Sequence, residues 1–250
     1  MIISNSNNFV VTRAPKTGGT SLAMYILQAG LADGEKDRYE LEGNFNTWQE
    51  FKAFSDANNN LEYTQLPPEL YKTEHFKKVN VTFQELVDSG EIASDMPCLG
   101  VIRHPLDWIS SLFYYANARR KIMAEKSIAE HGELTDNDKL LAERYATPES
   151  AHDFIFSNLS TPLIQNILKP QTDYYPEHAQ LFNFENVHEH ACKFISDKGK
   201  NAPETKIELR KSSHDPTEYI AGLSDYYKER ALRLYEKDLI AWEKAYAVYN

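Results

Sequence analysis

Residues 8–22 read Asn-Phe-Val-Val-Thr-Arg-Ala-Pro-Lys-Thr-Gly-Gly-Thr-Ser-Leu: an apolar run of β type, a glycine-containing turn and the start of a helix. Backbone N–H groups at a helix N-terminus attract anions, and glycines let the backbone approach a ligand closely. Lys16 adds a mobile positive charge, and the neighbouring hydroxyls add hydrogen-bond donors. We interpret the segment as a cradle for phosphate or sulfate. An ordinary joint between a strand and a helix is the alternative interpretation.

The order of lysine and glycines differs from that of the common nucleotide-binding loops. The phosphate loop of nucleoside triphosphatases has four residues between its glycines and a lysine after the second one. Here Lys16 precedes the pair Gly18-Gly19. The three spaced glycines of the dinucleotide-binding fingerprint are absent as well. The sequence therefore predicts an anion cradle of a different type.

The chain has 250 residues and a formal net charge of −10, with 27 Lys and Arg against 37 Asp and Glu. This length supports one sizeable core, and since no repeat or obvious linker occurs, we expect a single domain over residues 1–250. An acidic chain is a poor candidate for general nucleic-acid binding, which depends on many cations. It also disfavours a long polyanionic partner, although a basic cleft can coexist with an acidic exterior.

Cysteine content and hydropathy indicate the cellular location to expect for the protein. Cys98 and Cys192 are too few for a disulfide framework, and Cys98 lies in an apolar run as a buried small hydrophobe would. No N-terminal segment joins a basic start to an apolar core, and no stretch has the length of a membrane span. We therefore expect a cytoplasmic protein with no membrane partner.

Strand and helix signals alternate along the chain, which favours an α/β fold with three layers: a central parallel sheet flanked by helices. The apolar run Cys98–Ile102 is typical of a strand buried on both faces. The other predicted strands are residues 9–13, 76–81 and 180–184. The predicted helices begin at Thr20, Thr47, Thr82, Pro105, Thr147, Thr161 and Asn186, and one long amphipathic helix runs from Ser224 to about Tyr249.

In such sheets, ligands bind at the carboxyl ends of the strands. The first strand ends at the Lys16 turn, and the strand Cys98–Ile102 ends at Arg103-His104-Pro105. If these strands are neighbours, Arg103 faces the same crevice as the cradle. Ser111 lies about two helical turns further on, near the same side as Arg103. Together they can hold a second phosphate, whereas the alternative is that Arg103 pairs with a structural carboxylate.

Together these two segments resemble the nucleotide-binding parts of sulfotransferases that use 3′-phosphoadenosine 5′-phosphosulfate (PAPS). In that family a Lys-x-Gly-Gly-Thr core holds the 5′-phosphosulfate. An Arg-x-Pro segment, with a serine eight positions after the arginine, holds the 3′-phosphate. The resemblance implies the P-loop nucleoside triphosphate hydrolase-like fold of sulfotransferases and assigns no metal ligands. The nucleotide-binding residues that it implies are Arg13, Lys16, Thr17, Gly18, Gly19, Thr20, Ser21, Arg103, Ser111, Arg210, Lys211 and Ser212.

Three further segments extend the resemblance. Leu209–Ser213, followed by Pro216 and the tail helix, is similar to the C-terminal part of the glycosaminoglycan 2-O-sulfotransferase branch, where a basic segment closes over the nucleotide. A solvated polar loop is the alternative for these residues. Gln171–Tyr175 and Leu181–Glu185 resemble segments that lie between the motifs of the superfamily. Unlike many enzymes of the 2-O branch, the chain shows no membrane anchor and is acidic.

The resemblance implies in-line transfer of a sulfuryl group from PAPS to an acceptor hydroxyl, on a carbohydrate or a small metabolite. Lys16 would offset charge at the oxygen that bridges sulfur and the 5′-phosphate. The acceptor hydroxyl needs a general base. His75 is the first candidate and Glu42 is its rival, although Lys78 and Asn80 fall closer than His75 to the usual position in the family.

Two other functions fit the same fold. A nucleotide-dependent phosphotransferase, or kinase-like P-loop protein, would carry a Mg²⁺ site with an acidic residue at a strand end, and no predicted strand ends in such an aspartate. A non-catalytic nucleotide-binding module would bind adenosine 3′,5′-bisphosphate without transferring a group. Residues 30–75 match no part of the family, and we expect them to shape the acceptor pocket because loops on a rigid scaffold carry specificity. The sequence leaves the acceptor and the oligomeric state open.

Overall fold

The computed structural model describes residues 1–32, 38–39, 80–157, 168–204, 206 and 216–247, and these form an α/β fold. Its strands are β1 (Ile2–Ser4), β2 (Phe9–Val11), β3 (Arg38–Tyr39), β4 (Cys98–Ile102) and β5 (Gln180–Asn183). Its helices are α1 (Gly19–Gln28), α2 (Phe83–Asp88), α3 (Pro105–His131), α4 (Asp136–Arg144), α5 (Pro148–Ser157), α6 (Val187–Asp197), α7 (Pro216–Ala221), α8 (Asp225–Leu234) and α9 (Glu236–Ala247). A 3₁₀ turn, Gln171–Tyr174, precedes β5.

The strands form one sheet in the order β3-β1-β2-β4-β5. β2, β4 and β5 pair in parallel, whereas β1 is antiparallel to both β2 and β3. Four of the five described strands therefore point the same way, and the sheet is mostly parallel, as expected. The antiparallel β1 was not predicted. It follows from the turn Asn5–Asn8, since a connection of four residues can join only antiparallel strands.

Helices cover both faces of the sheet. On one face, α1 and α6 bury the side chains of Leu22 and Ile195 against Val11 and Phe182 of the strands. On the other face, α2 buries Phe83 against Cys98 and its neighbours, and α9 packs against β4 and β5. This layering confirms the α/β prediction and leaves the carboxyl edge of β2, β4 and β5 as the place where loops from several elements meet.

Local sequence signals fix several helix boundaries as predicted. Thr82 and Glu85 form a complete capping box at the start of α2, in which the Thr82 hydroxyl accepts from the Glu85 N–H and the Glu85 carboxylate accepts from the Thr82 N–H. Pro105 occupies the first turn of α3. The predicted helices from Thr47 and Thr161 lie outside the described residues, as do residues 76–79 of the predicted strand; the described Asn80 and Val81 are not in a strand.

The tail is not one long helix, contrary to the prediction, because Tyr235 interrupts it between α8 and α9. The Tyr235 ring is buried, with its centroid 5.1 Å from that of Trp108, and its hydroxyl donates to the carbonyl oxygen of Leu168 at 2.8 Å. The backbone leaves the helical conformation (φ −111°, ψ 34°) where these contacts are made. In the part of the chain that the structure describes, no helix has both the length and the apolar character needed to span a bilayer.

Candidate anion-binding site

The carboxyl ends of β2 and β4 lie side by side. Val11 is opposite Leu99 in the parallel ladder, and the N–H of Thr12 donates to the carbonyl oxygen of Leu99 at 3.2 Å. The two strands are therefore neighbours, which is the condition under which the sequence placed Arg103 at the same edge as the Lys16 turn.

The loop Ala14–Gly18 joins β2 to α1 and has an unusual backbone. Lys16 has φ 63° and Gly18 has φ 86°, so two residues of five lie in the left-handed region. The Thr17 hydroxyl is buried and donates to the Ala14 carbonyl oxygen at 2.9 Å, which closes the loop on itself. Gly18 is the N-cap of α1; no described side chain caps this end, and the first turn holds no acidic residue. The first N–H groups of α1 thus form a donor set suited to an anion.

Side chains from distant parts of the chain hold this loop in place. The indole Nε1 of Trp108, on α3, donates to the Pro15 carbonyl oxygen at 2.7 Å. The Tyr175 hydroxyl donates to the Val101 carbonyl oxygen at 2.8 Å and accepts from the Ala14 N–H at 3.2 Å. Burial raises the pKa of Tyr175 far above its usual range, so the hydroxyl keeps its proton and remains a donor.

Tyr175 reaches the loop by crossing Gly100 of β4. A Cβ atom at Gly100 would lie 2.2 Å from a carbon of the Tyr175 ring. Only glycine therefore allows the ring to lie flat enough against the strand to tie Val101 to Ala14. From the sequence alone, Gly100 is expected only to lie in a buried strand.

Phe184 connects the loop to Arg103. Its N–H continues the pairing of β5 with β4 by donating to the Ile102 carbonyl oxygen at 2.9 Å. Its ring lies against Gly18, where a Cβ atom would be 2.6 Å from a ring carbon. The guanidinium carbon of Arg103 is 4.4 Å from the centroid of the same ring, within the range of a cation–π contact. The Phe184 ring therefore contacts both predicted anion-binding segments, at Gly18 in the loop and at Arg103 after β4.

The loop and the adjoining ends of β2 and β4 carry three cationic side chains. Arg13 is buried; its Nη2 donates to the Thr20 hydroxyl, and its side chain packs where a Cβ of Gly19 would be. The Lys16 Nζ lies 4.9 Å from the centroid of the Tyr115 ring. The Arg103 Nε is buried and has no hydrogen-bond partner among the residues described.

Burial lowers the pKa of Arg103, while the carboxylates of Asp107 and Glu185 oppose the shift. An arginine stays protonated at neutral pH even so. A buried N–H donor of a cationic group is costly unless an acceptor completes it. The site is therefore suited to an additional anionic ligand at Arg103.

The predicted serine lies nearby without a contact that groups it with Arg103. Ser111 is half-buried on α3, whereas Ser110 is fully buried, and its hydroxyl has no hydrogen-bond partner within the described ranges. α3 begins at Pro105, so Arg103 lies outside the helix. Helical periodicity therefore does not place Arg103 and Ser111 on one face, as the sequence had suggested. The role of Ser111 stays a prediction.

The remaining predicted site residues cannot be placed. His75, Glu42, Arg210, Lys211 and Ser212 all lie outside the described residues. The identity of the general base and the contribution of the basic C-terminal segment therefore stay predictions.

Several residues at the site were not singled out from the sequence for a role there: Trp108, Tyr115, Gln171, Tyr175 and Phe184. Gln171, Tyr175 and Phe184 fall within the two segments noted for their resemblance to the superfamily, which was the one signal available for them. Trp108 and Tyr115 look like ordinary apolar positions of a helix in the sequence, and both contact the loop. No family model, curated protein or solved structure matches this chain, so its function is inferred from its own residues.

Proposed function

We propose that this protein is a sulfotransferase that transfers a sulfuryl group from PAPS to an acceptor hydroxyl on a carbohydrate or small metabolite. The observation that carries the proposal is the contact of the Phe184 ring with both Gly18 and Arg103. There Gly18, the N-cap of α1 two residues after Lys16, and the guanidinium group of the half-buried Arg103 contact one ring at the carboxyl ends of adjacent strands. Two separate anion sites on one sheet edge suit a ligand with two separate anionic groups.

The residues present fit this donor on two points. The first is the N-terminus of α1, where Gly18 places no side chain over the first N–H groups of the helix. The second is the buried Arg103 Nε, for which a phosphate oxygen would supply the acceptor that the described residues do not provide. The P-loop-like fold of sulfotransferases is part of the same proposal.

PAPS, when bound, supplies the activated sulfuryl group. The first N–H groups of α1 would bind the 5′-phosphosulfate, and Lys16 would offset the charge that develops on its bridging oxygen. Tyr115 lies under the Lys16 ammonium group and would restrict its position. Arg103 would bind the 3′-phosphate and so fix the donor for in-line attack. His75, or Glu42 in its place, would accept the proton of the acceptor hydroxyl.

The test combines binding with transfer. We expect adenosine 3′,5′-bisphosphate to bind at least about tenfold more tightly than adenosine 5′-monophosphate in calorimetry, a difference of about 1.4 kcal/mol. Arg103→Ala should remove that preference. Lys16→Ala should lower the turnover of labelled-sulfate transfer by about a hundredfold or more, because it removes a group that acts on the leaving oxygen. Lys193→Ala, which removes an exposed lysine paired with Asp197 at 3.2 Å, is the matched control and should retain both properties.

Three outcomes would reject the proposal. A folded protein that does not bind the bisphosphate lacks the site. Tight binding without transfer to any sugar, phenol, lipid or peptide acceptor would indicate a binding module. Transfer of phosphate from ATP that stops when Mg²⁺ is chelated would indicate the phosphotransferase instead, whereas sulfuryl transfer is expected to continue in the presence of the chelator.

A further inference from the structure

Gln171 holds the backbone of Arg103 at both polar atoms. The Gln171 Oε1 accepts from the Arg103 N–H at 2.9 Å, and its Nε2 donates to the Arg103 carbonyl oxygen at 3.0 Å. Arg103 is the first residue after β4, where the backbone leaves the ladder with β5. The amide of Gln171 thus continues the pairing for one residue and fixes the point from which the Arg103 side chain departs. Gln171 is fully buried, so water does not compete for these bonds.

Asp238 holds Gln171 in turn. One oxygen of the Asp238 carboxylate accepts from the Gln171 N–H at 2.8 Å, and the other accepts from the N–H of Thr172 at 2.9 Å and from its hydroxyl at 2.8 Å. Asp238 is fully buried on α9. Burial raises the pKa of this carboxyl, and the three hydrogen bonds oppose the shift.

These contacts form a path from α9 to the candidate site. It runs from Asp238 through the backbone and the amide of Gln171 to the backbone of Arg103, whose guanidinium group then lies over Phe184. A buried carboxylate is costly unless hydrogen bonds compensate for the loss of water. The described contacts of the Asp238 carboxylate all go to the 3₁₀ turn that carries Gln171, which indicates that it orders this turn.

We propose that Gln171 and Asp238 are positioning residues: they fix the backbone of Arg103 so that its side chain is in place to bind the 3′-phosphate of the nucleotide. This inference rests on the proposed function, in which Arg103 binds that phosphate. We call the hydrogen bonds that join Asp238, Gln171 and Arg103 the relay. Trp108 and Tyr175 hold the Lys16 loop through other hydrogen bonds, which do not involve the Gln171 side chain. We therefore expect loss of the Gln171 bonds to Arg103 to lower chiefly the part of the affinity that the 3′-phosphate contributes.

The experiment measures a ratio in the full-length protein. Dissociation constants for adenosine 3′,5′-bisphosphate and adenosine 5′-monophosphate are determined for the wild type, Gln171→Leu, Gln171→Glu and Asp238→Asn, under conditions in which each variant is folded by circular dichroism. Gln171→Leu removes both bonds to Arg103, while Gln171→Glu keeps the acceptor and loses the donor. We expect the preference for the bisphosphate to fall about tenfold or more, with the affinity for the monophosphate nearly unchanged.

Two matched controls separate positioning from general loosening. Thr172→Val removes the hydroxyl bond to Asp238 but leaves the Gln171 amide in place. Tyr235→Phe removes a buried hydrogen bond directly before the same helix, α9, without touching Gln171. Both should keep the wild-type preference for the bisphosphate. If a Gln171 variant does not fold, Asp238→Asn provides the same comparison with a near-isosteric side chain.

The outcomes that overturn the inference are distinct from those that overturn the proposed function. A wild-type protein with no preference for the bisphosphate rejects the role of Arg103, and with it both proposals. A wild-type preference that survives in Gln171→Leu and Asp238→Asn rejects the relay alone. Equal weakening of both nucleotides in these variants also rejects it, because that result is what a merely structural role produces.

Discussion

Gly18 meets two requirements that no other residue type satisfies. Its φ of 86° lies in the left-handed region, and the Phe184 ring occupies the space of a Cβ atom. We expect Gly18→Ala to lower the free energy of unfolding by about 2–4 kcal/mol, from the backbone cost of about 1–2 kcal/mol and the displaced ring. Urea denaturation gives the change in stability, and calorimetry should show a loss of binding for both adenosine nucleotides.

Gly132 provides the matched control, because it has φ 80° at the end of α3 and open space around its α-carbon. Gly132→Ala should cost only the backbone term, about 1–2 kcal/mol, and leave nucleotide binding unchanged. Equal effects of the two substitutions would show that Phe184 yields easily and that its contact with Gly18 is not a constraint on the loop.

At the scale of single residues, the sequence predicted what is local in the chain. Lys16 and Gly18 fall within a few positions of each other, and Arg103 follows a buried strand, so pattern alone picks them out. Phe184, Tyr175 and Asp238 act across large separations and look like ordinary core or surface residues when the chain is read in order. Their roles depend on which strands become neighbours, which no local pattern specifies.

The first turns of α3 support the Lys16 loop through the Trp108 indole. Trp108→Phe keeps most of the buried ring but removes the hydrogen bond to Pro15. We expect a loss of about 1 kcal/mol in stability and a weaker affinity for both adenosine nucleotides by a similar factor, since both use the loop. Calorimetry with the two ligands checks this. Weakening confined to the bisphosphate would contradict the assignment of Trp108 to the loop.

The packing of α5 against α8 makes stability depend on pH. The His152 ring is fully buried, with its centroid 4.1 Å from that of Phe156 and 5.0 Å from that of Tyr227. Burial lowers its pKa to about 4; the charge of Arg230 adds to this shift, and that of Asp153 opposes it. The unfolded chain, with a histidine pKa of about 6.5, binds more protons than the folded one between these values, so stability falls as pH drops through this window.

We expect His152 to account for a loss of about 2 kcal/mol between about pH 7 and about pH 5. His152→Phe should remove that part of the pH dependence, which urea denaturation at the two pH values measures. His131→Gln, at an exposed histidine, is the control and should behave like the wild type. A His152→Phe protein that loses as much stability as the wild type would show that the buried ring does not titrate in this range.

At the scale of elements, the sequence predicted boundaries that short-range chemistry sets, and missed those that tertiary contacts impose. The Thr82–Glu85 capping box and Pro105 lie where the pattern indicated. The break at Tyr235 did not show in the sequence because the amphipathic pattern continues through it, and its cause is the contact of Tyr235 with Trp108 and Leu168. β1 escaped notice because a strand of three residues is too short to show alternation.

On the scale of the whole molecule, the net charge of −10 bears on the choice of acceptor. We expect a neutral oligosaccharide to be sulfated faster than a heparan-type chain of equal length, because the acidic exterior repels a polyanion. Raising the salt concentration from about 50 mM to about 300 mM should narrow the difference, since salt screens repulsion between exposed charges. Labelled-sulfate transfer to both acceptors measures this. A polyanion that is preferred at low salt, and loses that preference as salt rises, would point to a basic groove.

The Tyr175 hydroxyl has a consequence for the order in which the protein matures. It reaches back 161 positions to the N–H of Ala14, so the Lys16 segment leaves the ribosome well before Tyr175 does. Contacts of such separation form late, because the intervening chain must be ordered first. A nascent chain that ends before Tyr175 therefore carries the lysine and both glycines without the clasp that shapes them. The capacity to grip an anion is therefore acquired only after Tyr175 has been synthesised and has folded back onto the loop.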